Sequence, residues 1–382
     1  MSSELLRSAR GAGYLSGMAT LSIDCRQLTQ AGVGTYLHQL LPRIMEAAAG
    51  HHFQLLGDPD VIRAQAWSRP ARVTRLSSRI VSVAEQVELP ARISRDAGLF
   101  WAPQYNAPLL YRGQMVVTIH DVLPATRTQL VWGAHRRAAA RLAIRQIGRR
   151  AAALLCVSAF TADELARVTG RRHPALHVVR SGVAPDWFHI PPGPRPHPRP
   201  YFLAVGDVKP QKNYPALLRA HASLAAALPH DLVIVGRTEG FVSGDPGAVR
   251  LARDAGGRVV FAGRVPHDLL RQYYRHAEAL VFPSLYEGFG LPPLEAMAAG
   301  VPVIASSAAA IPEVCGDAAL YCDPHRPADI AAAMRRLAGS SELREELVEK
   351  GRARARRFTW ERAAAETWAV MEGVLGGVGS RE

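Results

Sequence analysis

Two glutamates, Glu287 and Glu295, bracket the stretch EGFGLPPLE, just before an Ala-rich run that ends at Gly300. Gly288 and Gly290 allow the loop to turn tightly and bring backbone amides close to a ligand. Pro292 suits a first helical turn, where its missing N–H costs nothing, and Gly300 suits the stop, so the pattern predicts a helix from near Leu291. The open amides at that helix start favour an anion such as a diphosphate. Glu287, on the loop, is then placed to accept hydrogen bonds from the hydroxyls of a neutral sugar. Glu295, inside the first turns of the helix, is placed to accept them from two vicinal hydroxyls of a ribose. A glutamate near a helix start also serves the helix dipole alone, and for Glu295 both readings stand.

Three other stretches carry chemistry-bearing residues. VGDVKPQKN (205–213) offers Gly206 at a strand end and Lys212, which on a loop facing a diphosphate would stabilise it as a leaving group and elsewhere would be an ordinary solvated lysine. TIHD (118–121) ends a buried apolar run, so His120 emerges where a ligand would be met; an imidazole there can hold or shuttle a proton, although a lone histidine is more often structural. Asp121 beside it reads as a local cap. GVG (32–34) makes a glycine turn after the first strand pattern, and SAFT (158–161) reads as a helix cap with no chemistry.

The elements that must position these residues follow a regular rhythm. LSIDCR is a short strand pattern, and GLFWAP, QMVVTIHD and AAALLCVS are compact apolar runs of the kind buried in a parallel sheet. HIPPGPRPHPRPY (189–201) holds six prolines in thirteen residues, which forbids helix and reads as an extended connector. Beyond it the alternation restarts with YFLAVG, NYPALLRAHASLAAAL, DLVIVG, RVVFAG, HDLLRQYYRHA, ALVFPS, LPPLEAMAAG and VPVIAS. Alternating βα units in two halves predict two doubly wound α/β domains, with ligands outside the carboxyl ends of the strands, facing each other across a cleft. The tail from about Ser340 to Leu375 reads as helical.

The bulk numbers narrow the class. A chain of 382 residues is long enough for two cores, and 48% apolar with 21% charged residues is ordinary soluble usage with no run long enough for a membrane span. Cys25, Cys156, Cys315 and Cys322 match no metal-ligand spacing and are too few for a disulfide framework, so they read as reduced thiols. No metal-binding acidic pair stands in a candidate loop, and neither a metal nor another cofactor is expected. With 46 Lys and Arg against 33 Asp and Glu, the formal charge of +13 favours an anionic partner. Within HRRAAARLAIRQIGRR, Arg137, Arg141, Arg145 and Arg149 form one helical stripe, which is either a solvated face or a surface that docks on an anionic leaflet. Nucleic acid is not expected, because no aromatic residues interleave with the basic clusters.

The EGFGLPPLE segment resembles the Glu-x7-Glu signature of glycosyltransferase family 4, a family of retaining, nucleotide-sugar-dependent enzymes with the GT-B fold. The resemblance extends through IDCRQLTQAGVGTYLHQLL, LFWAPQYNAPLL, VVTIHDVLP, LLCVSAFTADELAR, HVVRSGVAPDWF, VGDVKPQKNYPALLRA, FAGRVP, AAAIPEVCGDAALYCDP and FTWERAAAETWAVM, from about residue 20 to 376. It implies that Glu287 contacts the donor sugar and Glu295 the ribose, and that the backbone of Gly288, Phe289, Gly290 and Leu291 lines sugar and diphosphate. It further implies that Gly206 and Lys212 belong to a phosphate clamp, that His120 contacts the donor sugar near the reaction centre, and that Gly34 lies against diphosphate or acceptor. The chain departs from the family where many members carry an arginine and this one has Asp207, so the second cation must come from elsewhere, with Arg237 and Lys209 as candidates.

The expected architecture is therefore GT-B. It has an extension (1–20), an acceptor-side Rossmann-like domain (21–188), a proline-rich linker (189–200), a nucleotide-sugar domain (201–358), and a C-terminal helix and tail (359–382) returning to the first domain. The expected activity is retaining transfer of a hexose, mannose from GDP-mannose first, to a saccharide or lipid-linked acceptor in bacterial surface polysaccharide synthesis. No carboxylate pair suits double displacement, which leaves front-face substitution. Rhamnose, glucose or galactose as the donor sugar, or a non-catalytic sugar-nucleotide binder, are the alternatives. The expected location is the cytoplasm, with peripheral attachment to the inner face of the membrane as the further reading.

Overall fold

The computed structural model describes residues 18–126, 134–238, 245–253 and 257–377; most of the expected extension and the last residues of the tail lie outside them. The chain divides into two compact units at Gly182–Val183 and again at Thr359–Trp360.

In the first unit, β1 (Thr20–Asp24), α1 (Val33–Ala47), β2 (His52–Gly57), α2 (Pro59–Arg63) and β3 (Arg72–Arg75) are followed by α3 (Val83–Arg92) and β4 (Ala97–Ala102). Then come β5 (Met115–Ile119), α4 (Leu123–Thr126), α5 (Ala134–Arg150), β6 (Ala153–Cys156), α6 (Ala159–Thr169) and β7 (Leu176–Val178). The strands form one sheet in the order β3-β2-β1-β4-β5-β6-β7, and every pairing is parallel. The central strands are buried on both faces, which explains why MVVTI reads as a near-continuous apolar run, while in TLSID the buried Ser22 hydroxyl donates to Gln54 Oε1 at 2.6 Å. Leu89 of α3, Ile144 and Ile147 of α5 and Leu165 of α6 share one core with Phe100 and Val117 of the sheet. Ser158 caps α6 by accepting the Thr161 N–H at 3.0 Å, as its sequence predicts.

The second unit runs β8 (Tyr201–Val205), α7 (Tyr214–Leu224), β9 (Asp231–Val235), α8 (Pro246–Arg253), β10 (Val259–Gly263), α9 (His267–Arg275) and β11 (Ala279–Phe282). It continues with α10 (Leu291–Ala299), β12 (Val303–Ser306), α11 (Ile311–Cys315), β13 (Leu320–Cys322), α12 (Pro327–Ala338) and α13 (Ser341–Ala355). Its parallel sheet has the order β10-β9-β8-β11-β12-β13, a doubly wound order whose reversal lies between β8 and β11. The chain ends in α14 (Trp360–Gly376), which belongs to the first unit and packs on α1; Tyr36 meets Trp360 there with ring centroids 6.0 Å apart.

The proline-rich stretch, expected as an extended connector between domains, is packed within the second unit. Its carbonyls take side-chain donors from α9 and the residue after it: Arg275 Nη1 to Ile190 O at 2.9 Å, Gln272 Nε2 to Pro191 O at 3.1 Å and His276 Nε2 to Gly193 O at 3.2 Å. Proline removes backbone donors but leaves carbonyls, so a stretch that cannot join a sheet still docks as an acceptor. All four cysteines are buried and unpaired.

Candidate active site

In the second unit the candidate residues converge on the carboxyl ends of the strands at the sheet's reversal, where open α/β sheets bind ligands. Gly206 follows β8 at φ +138°, and a Cβ added to Gly236, which follows β9, would stand 2.1 Å from the Gly206 carbonyl oxygen. Only glycine at 236 lets these two loops approach so closely. Asn213, at φ 58°, closes the loop after β8 and is held there by bonds from its amide to Pro283 O at 3.2 Å and Pro324 O at 2.6 Å. Leu285 N donates to Gln211 O at 2.8 Å, joining this loop to the one after β11.

That join brings Lys212 and Glu287 together, with Nζ 2.8 Å from Oε1 and both side chains mostly buried. The lysine also lies over the Phe282 ring, 4.7 Å from its centroid. Around the pair, the Oγ of Ser284 and the Oε1 of Gln211 are buried without a protein hydrogen-bond partner. Buried polar atoms of this kind cost free energy unless something pairs with them, and their concentration beside a lysine and a glutamate marks a place for a polar ligand.

α10 begins at Leu291 and ends in a left-handed Gly300, as the glycine and proline pattern predicts. Pro292 and Pro293 have no N–H and Leu294 N bonds back to Gly290 O at 3.3 Å, so the donors at this helix start are the amides of Gly290 and Leu291 and the loop before them. Gly290 itself has φ +132°. The Phe289 ring turns inward against Phe358, with centroids 5.9 Å apart.

Glu295 accepts a hydrogen bond from the Tyr274 hydroxyl at 3.1 Å. Burial lifts its pKa from the ordinary carboxylate range to about 7, against the lowering effect of the tyrosine bond. Nothing in the sequence marks Tyr274 as part of the site. Periodicity places it on the inner face of α9, but not against a particular carboxylate.

Asp207, where many members of the resembled family carry arginine, holds Arg237. Its Oδ2 is 2.9 Å from Nη2, and its Oδ1 accepts from the Arg237 backbone N at 3.1 Å and Nε at 3.3 Å. The guanidinium bonds keep the Asp207 carboxyl below its usual range despite burial. The candidate second cation thus carries its own counter-charge.

In the first unit, His120 follows β5. Its Nε2 lies 2.9 Å from Pro103 O, and because a carbonyl only accepts, that nitrogen bears the proton and Nδ1 is left as an acceptor. Tyr36 meets the ring edge-on at 4.7 Å. Burial lowers the His120 pKa to about 4, so the ring is neutral near pH 7 and is a poor proton shuttle; its usable function is to accept a hydrogen bond. Asp121 Oδ1 accepts Leu123 N at 2.9 Å, the local role expected for it. Gly34 lies in the first turn of α1, where a Cβ would stand 2.6 Å from Leu28 O, so glycine is required for the loop to fold back on the helix. A cavity of about 1070 Å³ in the same unit, lined by Arg172, His177 and Glu366 among others, includes none of the candidate residues.

Two doubly wound sheets, the second with a lysine, a glutamate and a helix start at its reversal, define a two-domain α/β protein. The GT-B fold is shared with sucrose-phosphate synthase from Thermosynechococcus elongatus (TM-score 0.79, 21% identity, covering 94% of this chain and 100% of that one). It is shared also with Anabaena HepE, solved with UDP-glucose (TM-score 0.73, 15% identity, 93% and 99%). Residues 186–354 match the family model described as Glycosyl transferases group 1, which together with the shared fold supports a GT-B glycosyltransferase. The O-antigen chain mannosyltransferase B of Escherichia coli is 32% identical over 229 residues, 56% of this chain and 58% of the relative, so the match spans little more than half of that protein.

Proposed function

We propose that this protein is a retaining glycosyltransferase that moves a hexose, mannose from GDP-mannose in the first instance, onto a saccharide or lipid-linked acceptor in bacterial surface polysaccharide synthesis. The observation that carries the reading is the Lys212–Glu287 pair, set among buried, unpartnered polar atoms beside the α10 start. The name of the O-antigen mannosyltransferase relative supports the choice of mannose and of acceptor class.

In this reading the amides of Gly290 and Leu291 and the Lys212 ammonium take up the negative charge that develops on the leaving diphosphate. Glu287 accepts from donor-sugar hydroxyls, and Glu295 from the ribose. His120 accepts a sugar hydroxyl through Nδ1 rather than moving a proton. The acceptor hydroxyl attacks the anomeric carbon on the face the diphosphate leaves, and its proton passes to the departing phosphate oxygen, so no protein nucleophile or metal is called for.

The test is nucleotide release from GDP-mannose, UDP-glucose, UDP-galactose, dTDP-rhamnose and GDP-rhamnose, with membrane extract as acceptor source and Glu287→Ala in parallel. Acceptor-dependent release from GDP-mannose alone, lost in the variant, is the expected result. Release from another donor alone would replace mannose, and release that survives in the variant would overturn the site.

A further inference from the structure

We propose that Tyr274 positions the Glu295 carboxylate so that the nucleotide site takes ribonucleoside diphosphates and rejects their 2′-deoxy counterparts. The inference rests on the reading of Glu295 as the ribose acceptor given above, and it narrows the donor class within that reading.

The Tyr274 hydroxyl donates to Glu295 Oε2 at 3.1 Å, with Pro292 O at 3.4 Å as its second acceptor. Both acceptors belong to the first turns of α10, the helix whose start supplies the Gly290 and Leu291 amides. One side chain of α9 thus sets the carboxylate relative to those amides. The ring has no room to swing away, because Tyr274 is fully buried and the buried Trp187, in the turn Pro185–Trp187, meets it edge-on with centroids 4.9 Å apart. Burial, with the adjoining carboxylate, raises the Tyr274 pKa well above the usual phenol range, so the hydroxyl keeps its proton.

Among the described residues Tyr274 is the one hydrogen-bond partner of the Glu295 carboxyl group. Lys212 and Asp186 act on that group only through their charge, with opposite sign, and Asp186 is itself held by Arg271 Nη1 at 3.2 Å with His267 Nδ1 at 3.9 Å. Neither sets the rotation of the carboxylate. An ionised carboxylate has about four acceptor sites, and the tyrosine takes one, which leaves Oε1 and the rest of Oε2 for a ligand. A 2′,3′-diol brings two O–H donors to these two oxygens. A sugar without the 2′-hydroxyl brings one. A free carboxylate would turn to share that donor, but one held through Oε2 cannot, so the missing hydroxyl leaves an acceptor unpaired. Sugars carried on dTDP should then be poor donors.

The test is calorimetric binding of GDP, 2′-deoxy-GDP, UDP and 2′-deoxy-UDP to the full chain at pH 8. Wild type should prefer the ribose form of the base it binds by about tenfold or more. Tyr274→Phe, at unchanged circular dichroism, should lose most of that ratio while still binding diphosphate. It should also move the pH midpoint of nucleotide binding upward, because the hydroxyl no longer lowers the Glu295 pKa. Tyr201→Phe removes another buried hydroxyl, one that donates to Tyr273 O at 2.7 Å, and should keep the ratio. In a Glu295→Ala background Tyr274→Phe should change the ratio no further. The proposal is overturned by a wild type that binds both forms alike, by a Tyr274→Phe variant that keeps the ratio, or by a Tyr201→Phe variant that loses it equally. A chain that binds none of the four nucleotides would bring down the nucleotide site and this proposal together, whereas equal binding of both forms would leave that site and remove only the role of Tyr274.

Discussion

Lys212 Nζ stands 2.8 Å from Glu287 Oε1, so one ion pair joins the loop after β8 to the loop after β11 at the reversal of the second sheet. The two groups therefore act as a unit, and their substitutions should be non-additive. Glu287→Ala should cut transfer about 100-fold or more and leave nucleotide binding within a fewfold, because the sugar loses its acceptor while the helix amides remain. Lys212→Ala should lose both transfer and diphosphate affinity, and the double variant should be little worse than Lys212→Ala. Steady-state kinetics of the four proteins decides this; purely additive losses would mean the pair has no joint role.

The Glu295 carboxyl, with its pKa lifted to about 7 by burial, predicts a proton-linked nucleotide site. In the folded chain this group holds a proton that the unfolded chain releases near pH 4.5, so its contribution to stability falls as pH rises from about 4.5 to about 7. Glu295→Gln should then melt at or above the wild-type temperature at pH 8 and match it at pH 4. If the ribose hydroxyls bond the ionised carboxylate, nucleotide diphosphate should bind more tightly as pH rises from about 6 to about 8, with proton release seen by calorimetry in buffers of different ionisation enthalpy. PH-independent affinity would remove Glu295 from the ribose.

What the sequence made legible follows the range over which each signal acts. The α10 start at Leu291 and stop at Gly300 were readable because glycine and proline act through their own backbone, and the strands were readable because burial on both faces leaves a continuous apolar run. The restart of the α/β rhythm beyond the prolines was visible for the same reason. Four relationships were not legible: Asp207 with Arg237, Tyr274 with Glu295, Arg26 with Glu85, and the docking of the proline stretch on α9. Each joins residues far apart in the chain through side-chain geometry, which no local period records. Asp207 stands out in the sequence as a departure, but only the fold shows that the aspartate restrains a cation rather than replacing one.

His120 is held neutral, with Nε2–H committed to Pro103 O and the pKa lowered from the ordinary 6.5 to about 4 by burial. The unfolded imidazole takes up its proton first, so this residue's share of stability is lost as pH falls from about 6.5 toward 4. Nitrogen–proton correlation spectra should show the Nε2–H tautomer persisting to about pH 5, and transfer rates should show no inflection from this group between pH 6 and 8. A His120 titration near 6.5 would restore a proton-transfer role.

Arg237 and Asp207 predict an inversion between single and double variants. Asp207 is mostly buried and held ionised by the guanidinium at 2.9 Å. Arg237→Ala therefore leaves a carboxylate without its counter-charge beside the loop that would hold a diphosphate, and repulsion adds to the loss of the cation. Donor KM should rise about tenfold or more in that variant, on the scale of leaving a buried charged group unmatched. Asp207→Ala with Arg237→Ala removes both charges and should recover part of the loss, while the thermal midpoint, lowered in the single variant, should also recover. A guanidinium that contacts donor directly, with Asp207 a bystander, would instead make the double variant as weak as Arg237→Ala, and donor KM measured on the pair distinguishes the two.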